Sequence, residues 1–475
     1  MARQRINPSL VKKEKKEYSF SIEIMSEDLN PAITSKQQLI DYFHSGSKKQ
    51  NLKIGTEHEK FLFHVKTKKP ISYQGNNSIE TIFHLLEQNG WIPIYDEGNV
   101  IGLKKNNKSI TLEPGLQIEL SGEPLNSVHE TCKEVNEYLD EIVEVCKKLN
   151  IGLIGNGFNP NATLEEIGRL PKKRYHIMRA YMPTKGSHGL DMMHRTSGTQ
   201  INLDYKSEVD FKIKTRVATC LIPIALSIFS NSPFKESKLN QYLSYRSFIW
   251  QHTDPDRSGL INFFMNEDEN SFERYVDFAL DVPMYYVARN DKTLDASGED
   301  FKHFLQGKLK KIPNIQPTLK DWEAHISTIF HEIRLKTYME IRSADSCSWS
   351  GLCSIPAFWT GLLYDDQSLH EAYEITKKWQ FNEVNNAYLE AAKSGLSTNL
   401  RNEPIFKHAL YFIHLSKQGL VRRNIKNKSN KDESIFLNEI EEMIKLQKSP
   451  ASILVDKFNH SWKENINNLF DEEAF

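Results

Sequence analysis

The chain has 475 residues, with 61 basic and 62 acidic side chains, a formal net charge of -1 at pH 7 and 39% hydrophobic residues. That balance excludes a global nucleic-acid or anionic-membrane footprint, so any contact with phosphate has to come from a local cluster. The length accommodates one large core or two to three domains, and no apolar run approaches the roughly 18 residues of a membrane-spanning helix.

Residues 1–34 read as a flexible basic leader that carries Arg3, Arg5, Lys12, Lys13, Lys15 and Lys16 beside Glu14 and Glu17. Its acids argue against an organelle-targeting peptide. Helical spacing follows near 37–43. Alternation then predicts a strand over 54–65, where Glu57 and Glu59 share a face with Phe61 and Phe63. Two like charges facing a partly apolar interior repel each other and are costly to desolvate, so a cation is expected to meet them.

Further along, 77–88 reads as a helix, and 91–95, 109–113 and 116–120 as short strands. Residues 126–149 form the clearest helix of the first half, with Asn126 as its cap and apolar residues from Val128 to Leu149 at three- and four-residue steps. A strand at 151–156 runs into a Gly/Asn-rich turn, 191–204 alternates, and 208–230 is a long helix ending at Asn231-Ser232-Pro233. Residues 254–321 read as a loop-rich insertion. Lys336–Arg342 alternates as a strand with Tyr338, Glu340 and Arg342 on one face, and helices dominate from about 356. Strands and helices mixed without regular βαβ alternation favour an α+β fold on an antiparallel sheet, here a single domain over 35–475.

Glu113 and Glu119, with Gln117, flank the Pro114-Gly115 bend. Each glutamate alone is an ordinary strand carboxylate; four on apolar-flanked strands read as oxygen ligands for a hard cation. There is no P-loop, and Gly152 to Gly157 does not satisfy the dinucleotide-binding glycine pattern. A nucleotide would therefore be held through carboxylate-bound Mg²⁺. Arg174 and Arg179, with Lys172, Lys173 and Tyr175, are either a solvated helix start or an anion clamp. Arg246 sits among aromatics, and Arg342 is either part of the site or the ion-pair partner of Glu340. His58 points away from its glutamate neighbours. The five cysteines, Cys132, Cys146, Cys220, Cys347 and Cys353, are odd in number and form no CxxC. They point to a reducing cytoplasm, with Cys132, Cys146 and Cys220 as buried small hydrophobes.

The stretches 55–61 (GTEHEKF), 112–122 (LEPGLQIELSG), 174–183 (RYHIMRAYMP), 189–196 (GLDMMHRT), 231–234 (NSPF), 281–285 (DVPMY), 335–342 (LKTYMEIR) and 356–359 (PAFW) resemble, in order, the plant and proteobacterial type of glutamate–cysteine ligase. The resemblance implies a glutamine-synthetase-like core in which a curved antiparallel sheet forms a funnel with helices outside. It implies ATP-dependent ligation of glutamate, through an acyl phosphate at its γ-carboxyl group, to the amine of cysteine, the first step of glutathione biosynthesis. Glu57, Glu59, Glu113, Glu119, Gln200 and Glu340 would be the Mg²⁺ shell. Arg246 and Arg342 would be catalytic, and Arg174, Tyr175, Arg179, Arg246 and Tyr285 would bind substrate. The plant hairpin cysteine pair is replaced here by Ala296 and Lys311. Cys353 matches a cysteine of the second plant disulfide, its partner unplaced. Small-molecule partners only, a monomer or weak homodimer and a cytoplasmic location are expected. The alternatives are a related carboxylate–amine ligase with another amine, or a non-catalytic regulatory relative.

Overall fold

The computed structural model describes residues 32–289, 292–349 and 351–475, so the expected leader lies almost wholly outside the described residues. The first elements are α1 (Lys36–Ser45), β1 (Ile54–His64), α2 (Ile79–Glu87), β2 (Ile92–Asp96), β3 (Asn99–Lys105), β4 (Lys108–Leu112), β5 (Ile118–Ser121) and α3 (Val128–Lys148). Next come β6 (Ile151–Ile154), α4 (Lys173–Tyr181), α5 (Gly189–Arg195), β7 (Gly198–Leu203), α6 (Glu208–Ile228), the small hairpin β8 (Phe234–Lys235) and β9 (Lys238–Leu239), and α7 (Tyr245–Gln251). The segment expected as an insertion holds α8 (Phe272–Asp281), β10 (Tyr286–Arg289), β11 (Lys292–Asp295) and α9 (Phe301–Leu305), followed by α10 (Leu319–Ile326). The chain continues through β12 (Ile333–Leu335), β13 (Met339–Asp345), α11 (Gly351–Leu363), α12 (Asp366–Thr376), α13 (Phe381–Ser394) and α14 (Ile405–Arg423). It ends with α15 (Asn438–Lys445), α16 (Pro450–Asn459) and α17 (Asn467–Glu472).

Nine strands make one antiparallel sheet in the order β12-β13-β7-β1-β5-β4-β3-β2, with β6 added to β1. The expected α+β architecture is the one found: a large open sheet surrounded by helices. β1 is its hub. The half that carries Glu57 and Glu59 pairs with β5 on one side and β7 on the other, while Phe61 to His64 pair with β6. Phe61 and Phe63 therefore leave the glutamates' surroundings and pack with Phe458, Trp462 and Phe470 in a satellite core under the last helices.

Local chemistry sets the boundaries. α3 begins one residue later than spacing predicts, because the Ser127 side chain, not Asn126, accepts from the Glu130 N–H. Its Val128, Val135, Leu139, Ile142 and Cys146 are buried as expected. α6 is buried on all sides from Lys214 to Ile228 and packs against β13, α12 and α13. Residues 191–195 are a correction: they close a helical turn in α5, and only 198–203 continue the alternation as β7. Among the described residues no helix is long and apolar enough to cross a membrane.

Cys132 is also a correction. It is bonded to Cys353 across 221 residues, with the two Cα atoms 5.3 Å apart, and so ties α3 to α11. The resemblance had marked Cys353 as a disulfide cysteine, but Cys132 as its partner was not legible, because only the packed fold brings these helices together. Cys146, Cys220 and Cys347 are free and buried. Closing so long a loop constrains the unfolded chain, so Cys132→Ser is expected to lower stability by about 2–4 kcal/mol. A urea midpoint unmoved by the substitution would show that the crosslink constrains nothing.

Candidate active site

The site begins with strand register. On β1, Glu59 lies directly opposite Glu119 of β5, and Glu57 directly opposite Gln200 of β7. Like charges placed directly across an antiparallel pair are destabilising, yet Glu119 is buried and Glu59 half-buried. With Glu113 they face a cavity of about 210 Å³. Burial, then the nearby Glu113, pushes the Glu59 carboxyl up to about 7, although Arg246, Arg342 and the Gly198 N–H pull the other way. Glu119 is pushed well above the usual carboxylate range by burial and by Glu57, Glu113 and Glu59.

These carboxylates are held by neutral donors. The Gly198 N–H donates to Glu59 Oε2 at 2.7 Å and Gln200 Nε2 to Glu59 Oε1 at 3.3 Å. Asn202 Nδ2 donates to Glu57 Oε1 at 2.9 Å, and Thr111 Oγ1 to Glu119 Oε2 at 2.8 Å. Among the described residues none of Glu57, Glu59, Glu113 and Glu119 forms an ion pair, and no three His, Cys, Asp or Glu side chains are already gathered as a metal-binding group. The carboxylates stand around the cavity instead of meeting at a point. Carboxylate oxygens gathered around one cavity without a cationic partner fit a hard cation.

Glu340 is placed differently from the other expected ligands. It is fully buried, receives both Nε and Nη2 of Arg334, and lies 3.5 Å from Arg342 and 3.7 Å from Lys336. Burial alone would raise its pKa, but Arg334, Lys336 and Arg342 hold it well below the usual carboxylate range. It does not line the cavity. Gln200 does, but its amide is committed: its oxygen accepts from Arg342 Nη1 while its nitrogen donates to Glu59.

Arg246 and Arg342 enter the cavity from α7 and β13, each with its guanidinium 5.8 Å from the Trp250 ring centroid. Arg246 Nη2 donates to the Arg342 carbonyl at 3.0 Å. Gly198 makes room for it, since a Cβ there would lie 2.7 Å from Arg246 Nη2. Arg174 also reaches the cavity, stacked 5.0 Å from the ring of Tyr175, whose hydroxyl donates to the Leu112 carbonyl at 3.4 Å. Burial and Arg174 push the neighbouring Lys172 down to about 8.

Two expected substrate residues lie off the cavity. Arg179, one helical turn beyond Tyr175, contacts His176 Nδ1 at 3.0 Å, and the Tyr285 ring is buried under Arg257 and against Tyr181. Tyr286 lines the cavity in its place. Met178, Met192, Met193, Trp250 and Phe330 add thioether and aromatic surface to the cavity lining. Arg334 is the charged residue that strand spacing missed. A hairpin around 336–338 would have placed it directly across from Glu340. His58 lies on the other face of β1, buried, and burial together with Lys60 keeps its imidazole neutral.

A family model described as glutamate-cysteine ligase family 2 matches residues 53–472. Glutamate–cysteine ligase B, chloroplastic, of Oryza sativa subsp. japonica is 47% identical over 440 residues, covering 92% of this chain and 87% of that protein. Its Arabidopsis thaliana counterpart is 44% identical over 440 residues, covering 92% and 82%. The solved glutamate–cysteine ligase of Francisella tularensis in complex with AMP shares the fold at a TM-score of 0.54 and 12% identity, covering 90% of each chain. That these relatives are named chloroplastic overturns the expected cytoplasmic location. Both supports for that expectation were weak: a charge count over a short leader, and a cysteine tally that the Cys132–Cys353 bond contradicts.

Proposed function

The chain belongs to glutamate-cysteine ligase family 2, and from that membership we propose that its cavity joins the γ-carboxyl group of glutamate to the amine of cysteine, driven by ATP. The product is γ-glutamylcysteine, in the first step of glutathione biosynthesis. One observation carries the reading: four carboxylates that form no ion pair among the described residues, the Arg246–Arg342 pair and a set of thioether and aromatic side chains line a single cavity. The charged groups suit phosphoryl transfer, which needs positioning and charge stabilisation more than covalent help from the protein. The thioethers and rings suit a small polarisable thiol side chain.

In this reading Arg246 and Arg342 hold the anionic oxygens of glutamate and of the transferring phosphoryl group. Their guanidinium forks match carboxylate and phosphate geometry, and each is oriented by protein acceptors before substrate arrives. Arg174 supplies a third cation at the carboxylate end. The γ-carboxylate attacks the terminal phosphorus of ATP and ADP leaves. The neutral cysteine amine then attacks the acyl phosphate, releasing phosphate and a proton. Glu57, Glu59, Glu113 and Glu119 would hold Mg²⁺, which when bound neutralises charge on the phosphate oxygens. Gln200 links Glu59 to Arg342, so the carboxylate and guanidinium sides are set relative to each other by one amide.

Phosphate release measured with ATP and Mg²⁺, omitting each amino acid in turn, tests this. Release requiring both glutamate and cysteine is the expected result. Release with glutamate and a different amine would move the assignment to a related ligase, and no release under any combination would make the chain a non-catalytic relative.

A further inference from the structure

Arg257 is a charged side chain sealed completely inside the protein, away from the cavity, and its partner Asp254 is equally buried. Arg257 Nε donates to Asp254 Oδ2 at 2.7 Å. Its remaining donors go to two segments. Nη2 reaches the Pro283 carbonyl at 2.6 Å, and Nη1 the Thr328 carbonyl at 3.2 Å. The guanidinium lies 4.0 Å from the Tyr285 ring centroid, and the Arg257 carbonyl accepts from the Phe330 N–H at 2.7 Å. Both segments form cavity wall, through Tyr286 on one and Ser327, Thr328 and Phe330 on the other.

The second segment connects α10 to β12 and has no strand or helix of its own to satisfy its backbone. Three consecutive carbonyls are instead gripped by two arginines. Arg334 takes Ser327 at 2.6 Å and Ile329 at 3.2 Å, while Arg257 takes Thr328 between them. Arg334 lines the cavity and Arg257 lies outside it. Beyond Asp254, the Arg257 donors are spent on these two wall segments, at the Pro283 and Thr328 carbonyls and, at 3.5 Å, the Thr328 hydroxyl.

We propose that Arg257, seated by Asp254, is a positioning residue that fixes the wall carrying Tyr286, Thr328 and Phe330 and so governs recognition of the amine substrate's side chain. This rests on the cavity being the site of glutamate–cysteine ligation. A wall displaced by about 1 Å is enough to cost orders of magnitude in a positioned reaction. The loss should fall on the substrate that touches the wall and spare those held by the carboxylates and the Arg246–Arg342 pair.

The test uses the full chain carrying Arg257→Lys, and separately Asp254→Asn combined with Arg257→Met, which removes both charges so that no buried carboxylate is stranded. KM for cysteine is expected to rise about tenfold in the double variant, with KM for glutamate and ATP within about twofold and kcat within about threefold. Discrimination between cysteine and 2-aminobutyrate, which replaces the thiol by a methyl group, should fall by about fivefold or more, and Arg257→Lys should recover part of it. Equal changes in all three KM values, or a loss of melting temperature with every KM unchanged, would overturn the proposal. If the double variant does not fold, the same split in Arg257→Lys decides. Wild-type protein measured alongside separates the two levels. A wild type that does not need both amino acids sinks the ligase reading and this inference together, whereas a normal wild type with insensitive variants sinks this inference alone.

Discussion

Glu59→Gln is expected to lower kcat by about 10³-fold or more while leaving the protein at least as stable as wild type. The two halves of that result come from the same electrostatics. Glu59 is a half-buried carboxylate directly opposite Glu119 that forms no ion pair among the described residues. Its carboxyl is pushed up to about 7 from an ordinary value of 4.5. Between those two values the unfolded chain gives up its proton before the folded one does, so this group weakens the fold as pH rises from about 4.5 through about 7. Glutamine keeps the shape and can still accept from the Gly198 N–H, but it carries no charge to desolvate. At pH 8, with no metal present, the variant should melt at or above the wild-type temperature while losing turnover. Glu57→Gln should act in the same direction on kcat. Turnover within a few-fold of wild type would remove both residues from the reaction, and a large drop in melting temperature would mean that Glu59 serves the fold.

Glu340→Gln should do the opposite and destabilise the protein by about 3–5 kcal/mol, the range found when one member of a buried ion pair is removed. This carboxylate accepts from Arg334 and is the common counter-ion of Arg334, Lys336 and Arg342. Neutralising it leaves three cations around a fully buried amide, and Arg334 loses the partner that directs its other donor to Ser327 and Ile329. The unfolding midpoint in urea measures the effect directly. A variant with an unchanged midpoint and abolished activity would return Glu340 to the cation-binding set. The contrast between Glu59 and Glu340 is the sharpest test of how the five glutamates divide.

Much of this division was beyond reach of strand spacing. Alternation correctly put Glu57 and Glu59 on one face, because a strand's period of two is a local property. Whether a carboxylate meets a cation is not local. Glu340 and Glu59 look alike in sequence, and only the β12–β13 hairpin shows that one is neutralised by Arg334. Tyr285 and Tyr286 illustrate the same limit, since the side that faces the cavity depends on where Arg257 lies behind it. Helices between about 356 and 447 were legible from their periodicity, and β7 from its alternation, whereas Phe272–Asp281 in the expected insertion and the last two helices, Pro450–Asn459 and Asn467–Glu472, were not anticipated. Residues 191–195 were misjudged because a short helix leading into a strand leaves too few residues to show its period. Cys132 carried no signal of its own, because a bond spanning 221 residues is specified by packing.

The order of strands in the sheet has a consequence for how the protein is made. β1 and β7 are neighbours, but the other edge of β7 is covered by β13, which ends at Asp345. A ribosome working at about 5–20 residues per second spends roughly ten seconds or more between completing one strand and completing the other. If the earlier strands pair in that interval, β7 would present an open row of backbone donors and acceptors on a nascent chain that already carries Glu57, Glu59, Glu113 and Glu119. Self-association at this stage would be opposed by the repulsion among those same glutamates. The acids that would serve turnover in the finished protein would then also guard the unfinished one, and expression yield, more than melting temperature, is where their neutralisation in combination should be felt.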